Sequence, residues 1–154
     1  MTDHDIAWLG IEALASSIRS RDLSATEAAQ AMLRRIGQLD PGLRAYARTT
    51  PDLALAQARD ADARLARGEP LGPLHGVPIA VKDLCWTAGV PTAAGSTIHR
   101  DFTPPVDGTV VRRLREAGAV LLGKLQMTEG AFSEHHPDIA APRNPWNPQA
   151  WTGV

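Results

Sequence analysis

The sequence predicts an α/β protein: a helical N-terminal arm over residues 1–68, then the start of a mixed, partly parallel sheet with flanking helices over residues 69–154. Three observations carry that reading. Apolar residues recur at helical spacing through the first 68 positions. A Gly/Pro-rich turn at residues 69–73 then leads into the apolar run Val77-Pro78-Ile79-Ala80-Val81. A second helix-then-strand unit follows between Asp107 and Leu122, and strand, connection, helix and strand in that order imply parallel pairing.

In the arm, Trp8, Ile11, Leu14, Ala15 and Ile18 share one helical face, with Arg19 and Arg21 toward its end. Ser24-Ala25-Thr26-Glu27 is a capping box, in which Ser24 caps the Glu27 amide and Glu27 reaches back. Behind it Ala28, Met32, Ile36 and Leu39 form a stripe beside Ala25, Ala29 and Leu33, and Asp40-Pro41-Gly42 is expected to end the helix. Thr50-Pro51-Asp52 supplies a cap, a first-turn proline and an early acid for the next helix. That helix carries Ala54, Ala58, Ala61 and Leu65 on one face and closes at Gly68. Asp60 and Arg64 lie four residues apart on it, a pairing worth about 0.3–0.5 kcal/mol. No catalytic constellation appears in these helices, which read as scaffold.

In the sheet region the strand 77–81 is followed at its C-terminal end by Lys82. Asp107 can cap a helix that turns Val110, Val111, Leu114 and Ala117 inward and Arg112, Arg113 and Arg115 outward. Gly118 suits the position after the helix, and Ala119-Val120-Leu121-Leu122 reads as a buried strand. From Pro137 onward four prolines, Trp146 and Trp151 occur with no periodic segment. Two indoles, each able to bury on the order of 200 Å², with nothing to cover them suggest a chain cut before its next element.

Composition narrows the function. Acids and bases are interspersed and the net charge is −1, which gives no nucleic-acid footprint and no patch for an anionic membrane. A single cysteine, Cys85, excludes an internal disulfide and suits a reducing compartment. The acidic start is not a secretory signal, and no stretch approaches the ~18 apolar residues of a membrane span. A cytoplasmic chain is expected.

Lys82 stands out against this background. Of 16 basic residues 14 are Arg, and Lys occurs only at positions 82 and 124. Arginine keeps its proton in proteins, whereas a desolvated lysine can become a base. Ligands of α/β sheets gather at the carboxyl ends of strands, where Lys82 falls. The same position also suits a lysine that snorkels to the surface, and composition does not separate the two.

The run Leu74-His75-Gly76-Val77-Pro78-Ile79-Ala80-Val81-Lys82-Asp83-Leu84 resembles the first conserved block of the amidase signature family. The resemblance continues through Thr92-Ala93-Ala94-Gly95-Ser96, residues 107–111, and Ala117-Gly118-Ala119-Val120-Leu121-Leu122-Gly123-Lys124. Asn144-Pro145-Trp146-Asn147-Pro148 and Trp151-Thr152-Gly153 complete it, and Leu23-Ser24 before a helix with Asp40-Pro41 after it is similar to the family's N-terminal arm. It covers essentially the whole chain and corresponds to about the first third of a family member, hence an incomplete amidase-signature fold.

What the resemblance implies is cleavage of a carboxamide by a Ser–cis-Ser–Lys triad, with no cofactor and no metal. Lys82 is by motif the lysine, required as a neutral amine; Asp83 positions the loop, and Gly95-Ser96 is a structural turn rather than the nucleophile. The implied partner is a small-molecule amide substrate of the full-length enzyme; nucleic acid and membrane are not expected as direct partners, and a homodimer is one arrangement the resemblance allows. In the family the Gly/Ser-rich segment bearing both serines begins just after the position of Val154, so residues 1–154 are expected to be inactive alone. The alternatives are a non-catalytic truncated or interaction module, or part of the A subunit of a tRNA-dependent amidotransferase. The chain departs from the family pattern at Gly153-Val154, usually Gly-Gly, at Leu125 and Gln126, which replace Thr and Asn, and at His135-His136, which only a subset shares.

The histidines His75, His99, His135 and His136 with Asp138 lack the spacing of a metal site; adjacent side chains point apart, and the pair reads as loop surface. Cys85 beside Trp86 reads as a packed, inert thiol.

Overall fold

The computed structural model describes residues 1–132, 134–150 and 152. Its elements are helices α1 (Asp3–Ala7), α2 (Ile11–Ser20) and α3 (Ala25–Leu43), strand β1 (Tyr46–Thr49), helix α4 (Pro51–Ala66), strand β2 (Pro78–Lys82), helix α5 (Thr109–Glu116) and strand β3 (Val120–Leu125), then a 3-10 turn at Glu129–Ala131. They make two compact units. The first holds residues 1–38, 50–79 and 113–122; the second holds 39–49, 80–112 and the described residues from 123 onward.

In the first unit the single helix expected over residues 8–18 is two. Thr2 and Asp5 form a capping box that starts α1, and Trp8 is its C-cap. Gly10 then takes an extended conformation and begins α2. Trp8 is therefore off the apolar stripe and 70% exposed, with the Arg35 guanidinium 5.9 Å from its ring centroid. Leu14, Ala15 and Ile18 keep the stripe and are buried.

The capping box of α3 forms as the sequence predicts. The Ser24 hydroxyl accepts the Glu27 N–H at 3.0 Å, and the Glu27 carboxylate accepts the Ser24 N–H at 2.9 Å. Asp62 of α4 completes the start of the helix by accepting the Ala25 and Thr26 N–H groups and the Thr26 hydroxyl, at 2.7, 3.1 and 2.6 Å. Ala25, Ala28, Ala29 and Ala31 of α3 and Ala54, Ala58 and Ala61 of α4 are buried, whereas Leu39 is exposed. Small side chains let backbone approach closely. The chain entering β2 passes so near Ala25 that a Cβ on Gly76 would sit 2.8 Å from the Ala25 methyl, and the φ of +75° also requires glycine there.

Several local expectations fail for identifiable reasons. Helix α3 runs through Pro41 to Leu43, because a proline this close to the end forfeits only one late hydrogen bond. The Asp40 carboxylate instead receives the Ala45 and Tyr46 N–H groups beyond the helix. Thr50 is the N-cap of α4, yet its hydroxyl donates to the Leu121 carbonyl at 2.9 Å rather than capping. Arg64 pairs with Glu69 at 3.0 Å and not with Asp60. Helix α5 starts at Thr109. Val111 of α5 is buried as expected but Val110 is exposed.

The three strands form a sheet in the order β1-β3-β2. Strand β1, absent from the sequence reading, pairs antiparallel with β3. Strands β2 and β3 run parallel: Val77 accepts from Val120 and Asp83 donates to Leu125, so residue numbers climb together. Gly118 follows α5 at φ +90°, as the helix stop requires. The described residues 137–150 form no helix or strand, and Trp146 is 92% exposed. Trp151, Gly153 and Val154, part of the resemblance above, lie outside the described residues.

Ser24 and Asp62 serve the same helix start but unequally. Ser24→Ala is expected to lower the unfolding free energy by about 1 kcal/mol, and Asp62→Ala, which strips three donors, by roughly 2–3 kcal/mol. Urea unfolding midpoints check the order; an Asp62→Ala loss no larger than that of Ser24→Ala refutes it.

Candidate active site

Strand β2 ends on Lys82 because the chain turns there: the Cys85 N–H returns to the Lys82 carbonyl at 2.9 Å. Lys82 is half-buried and lines a cavity of about 240 Å³ together with Gln126, Met127, Thr128, His135, Pro142, Arg143, Pro145 and Thr152. None of these residues is an acid. Among the described residues the Lys82 side chain makes no hydrogen bond or ion pair.

The other lysine has the opposite circumstances. Lys124, on the central strand β3, is fully buried, with its Nζ 3.4 Å from a carboxylate oxygen of the equally buried Asp83. It also donates to the Thr92 hydroxyl at 2.8 Å, which in turn donates to the Val90 carbonyl at 3.1 Å. Burial pulls the Lys124 amine below the usual lysine value of 10.5, and the facing Asp83 carboxylate opposes that pull. Asp83 further accepts the Ala93 N–H at 3.0 Å, its carbonyl accepts the Ala94 N–H at 3.3 Å, and its own N–H donates to Leu125 at 3.0 Å. The residue directly after Lys82 thus ties the end of β2 both to β3 and to the 92–96 loop.

That loop carries Gly95 at φ +69°, where a Cβ would come within 2.8 Å of the Met127 and Thr128 carbonyls. Ser96 is buried, and its hydroxyl accepts the Ile98 N–H at 3.4 Å. It lines a different cavity, of about 330 Å³, with Asp83, Arg48 and Arg100.

The remaining candidates scatter. His75, in the first unit, is buried with its Nε2 2.9 Å from the Ala61 carbonyl. His99 stacks edge-on with Phe102, which also meets Trp86. Cys85 is half-buried and in no disulfide. The two adjacent histidines are not simply loop surface. His136 faces the Thr97 hydroxyl at 3.1 Å and accepts the Asp138 N–H. Both ring nitrogens of His135 are shielded from water, and that residue lines the Lys82 cavity. Neither His135 nor Thr128 is recognisable as a site residue from its local sequence, which lacks periodicity. Among the described residues no three His, Cys, Asp or Glu side chains cluster as metal ligands, and no helix is long and apolar enough to cross a membrane.

Residues 27–154 match the family model described as Amidase. The chain is 56% identical over 149 residues to a putative amidase, AmiD, of Mycobacterium tuberculosis, covering 97% of this chain and 31% of that protein. It is 46% identical over 145 residues to the A subunit of the glutamyl-tRNA(Gln) amidotransferase of Salinispora tropica, covering 93% of this chain and 30% of the relative. The peptide amidase of Stenotrophomonas maltophilia superposes with a TM-score of 0.75 at 40% identity, over 80% of this chain and 26% of that one. The chain therefore spans just under a third of the length of the curated relatives it matches.

Breaking the buried pair from one side leaves a charge stranded. Lys124→Met is expected to cost roughly 3–5 kcal/mol, and Lys124→Met with Asp83→Asn distinctly less than the sum of the single changes. The pH dependence has a defined sign. The unfolded chain keeps the Lys124 proton up to about 10.5, while the folded chain releases it earlier. Stability contributed by this group therefore rises with pH between the lowered value and 10.5. Chemical denaturation at several pH values checks this: Lys124→Met should flatten the rise, and an unchanged slope counts against it.

Proposed function

Because the chain belongs to the amidase family, we propose that it supplies Lys82 as the proton-transfer lysine of a carboxamide-cleaving site that also uses a serine nucleophile and a relaying serine. The observation that carries the reading is the contrast between the two lysines. Lys124 is committed to Asp83 and Thr92, whereas Lys82 sits at a strand end against a cavity with no acid in its described lining. An amine without an ion-pair partner is available to exchange a proton with a hydroxyl placed in that cavity.

In this mechanism the nucleophilic serine attacks the amide carbonyl, and its proton passes through the relay hydroxyl to the Lys82 amine. Lys82 then returns a proton along the same route to the departing nitrogen. The C–N bond breaks, and water hydrolyses the acyl-serine. By resemblance both serines fall beyond position 154, so residues 1–154 contribute the base and not the nucleophile. Ser96 is unsuited to the role, being buried and accepting a backbone N–H. A single cysteine, which cannot form an internal disulfide, is in keeping with a cytoplasmic setting.

A second reading draws on the amidotransferase relative: the same site would belong to an enzyme of that type. The two differ in what receives the released nitrogen and not in the role of Lys82.

Expression with whatever coding sequence continues in frame past codon 154 tests the proposal. A serine-bearing continuation is expected to give hydrolysis of primary carboxamides, with kcat lowered about 10⁴-fold by Lys82→Ala. Residues 1–154 alone are expected to show no Lys82-dependent turnover. Turnover that is indifferent to Lys82→Ala, or an immediate stop codon with no hydrolysis, refutes the enzyme reading and favours a binding module.

A further inference from the structure

Arg48 occupies an unfavourable place in the sheet. In the antiparallel register of β1 and β3 it lies directly opposite Lys124. Residues paired in this way share one face of a sheet, and like charges there destabilise it. Lys124 has its counter-ion in Asp83. Arg48 has none. Among the described residues its guanidinium makes no hydrogen bond or ion pair, and its Nε is shielded from water without an acceptor. Its charge helps to pull the Lys124 amine below the usual lysine value. An inward-pointing charge on an edge strand can serve only to discourage pairing with other chains, but that role does not require a dry donor. A half-buried arginine with a shielded N–H and a cation across the ladder lacks an anion.

The cavity of about 330 Å³ that Arg48 lines lies within the second unit and is not the one beside Lys82. Arg100, exposed, is a second guanidinium in its wall. The Arg100 Nε donates to the Thr97 carbonyl at 3.2 Å, which leaves its terminal N–H groups for a ligand. The buried Ser96 hydroxyl accepts the Ile98 N–H at 3.4 Å and keeps its own proton to donate. Two carboxylates share the wall. Asp83 is offset by Lys124 at 3.4 Å, and Asp138 is exposed to water that screens it.

We propose that this cavity binds a small oxyanion, a carboxylate or a phosphate, on the forked N–H groups of Arg48, with Arg100 and the Ser96 hydroxyl as further donors. The fork matches two oxygens of either group, and such charge-assisted bonds are about twice as strong as neutral ones. The site is separate from the amide-cleaving reading of Lys82 and does not depend on it. A bound anion offsets the repulsion between Arg48 and Lys124, so occupancy stabilises the pairing of β1 with β3.

The test follows the arginine Nε–H signals by NMR in the chain with any in-frame continuation. Phosphate, acetate and chloride are the probes, at matched ionic strength. Phosphate or acetate is expected to shift the Arg48 signal saturably, with chloride at least about tenfold weaker. The tighter of the two oxyanions identifies the source, and equal affinities support the chemistry they share. Arg48→Gln should weaken binding at least about tenfold, read from the Arg100 signal, and Arg48→Lys, which keeps the charge but not the fork, about threefold. Arg59→Gln removes an equal charge from the exposed surface of α4 and should leave binding unchanged. Without anion, Arg48→Gln should melt no lower than wild type, because it removes a like charge opposite Lys124; a lower midpoint counts against the uncompensated cation from which the site is inferred. The absence of any saturable shift, an equal response to chloride, or equal weakening by Arg59→Gln and Arg48→Gln overturns the proposal.

Discussion

The buried ion pair between Asp83 and Lys124 is the constraint from which the candidate site follows. Two charges removed from water cost several kcal/mol each, and attraction in the interior offsets that only where geometry is tight and the remaining polar valences are filled. Here they are largely filled. Lys124 also reaches Thr92, Thr92 reaches Val90, and Asp83 takes the Ala93 N–H. The network joins the end of β2, the end of β3 and the 92–96 loop around one point. Lys82 is the residue immediately before that point, so its backbone is held by its neighbour while its side chain is left unpaired among the described residues.

The glycines extend this argument from charge to shape. Gly123 lies so close to β1 that a Cβ would strike the Arg48 carbonyl, and Gly95 presses against the Met127 and Thr128 carbonyls. The first contact sets how closely β1 and β3 approach. The second fixes the backbone of Thr128, one of the residues beside Lys82. The site is thus framed by backbone approaches that no larger residue permits, and only its lining is made of adaptable side chains.

Much of this is legible in the chain. The apolar run before Lys82, the Ser24–Glu27 box and the Gly118 stop each carry their own local physics, and each forms where expected. What escapes depends on partners distant in sequence. Strand β1 is four residues with alternating burial and exists because β3 pairs with it. Thr50 caps nothing because the Leu121 carbonyl claims its hydroxyl, and Arg64 ignores Asp60 because Glu69 is at hand. Trp8 misleads because the stripe it seems to join is interrupted at Gly10. Within the site Lys82 stands out by rarity, and Asp83 holds the loop that its place after Lys82 suggests. The depth of Lys124, and the drying of His135 in a proline-rich segment, emerge only when the chain is closed on itself.

Adjacent residues 82 and 83 line separate cavities, one of about 240 Å³ and the other of about 330 Å³. Side chains alternate along an extended strand, so displacing β2 by a single position against β3 would exchange the two. A carboxylate would then stand where the free amine belongs, and an ammonium would lie opposite another ammonium with no acid between them. The buried pair therefore acts as a checksum on strand alignment: only one of the two neighbouring pairings tolerates the charges, and it is the one that leaves Lys82 facing its own cavity.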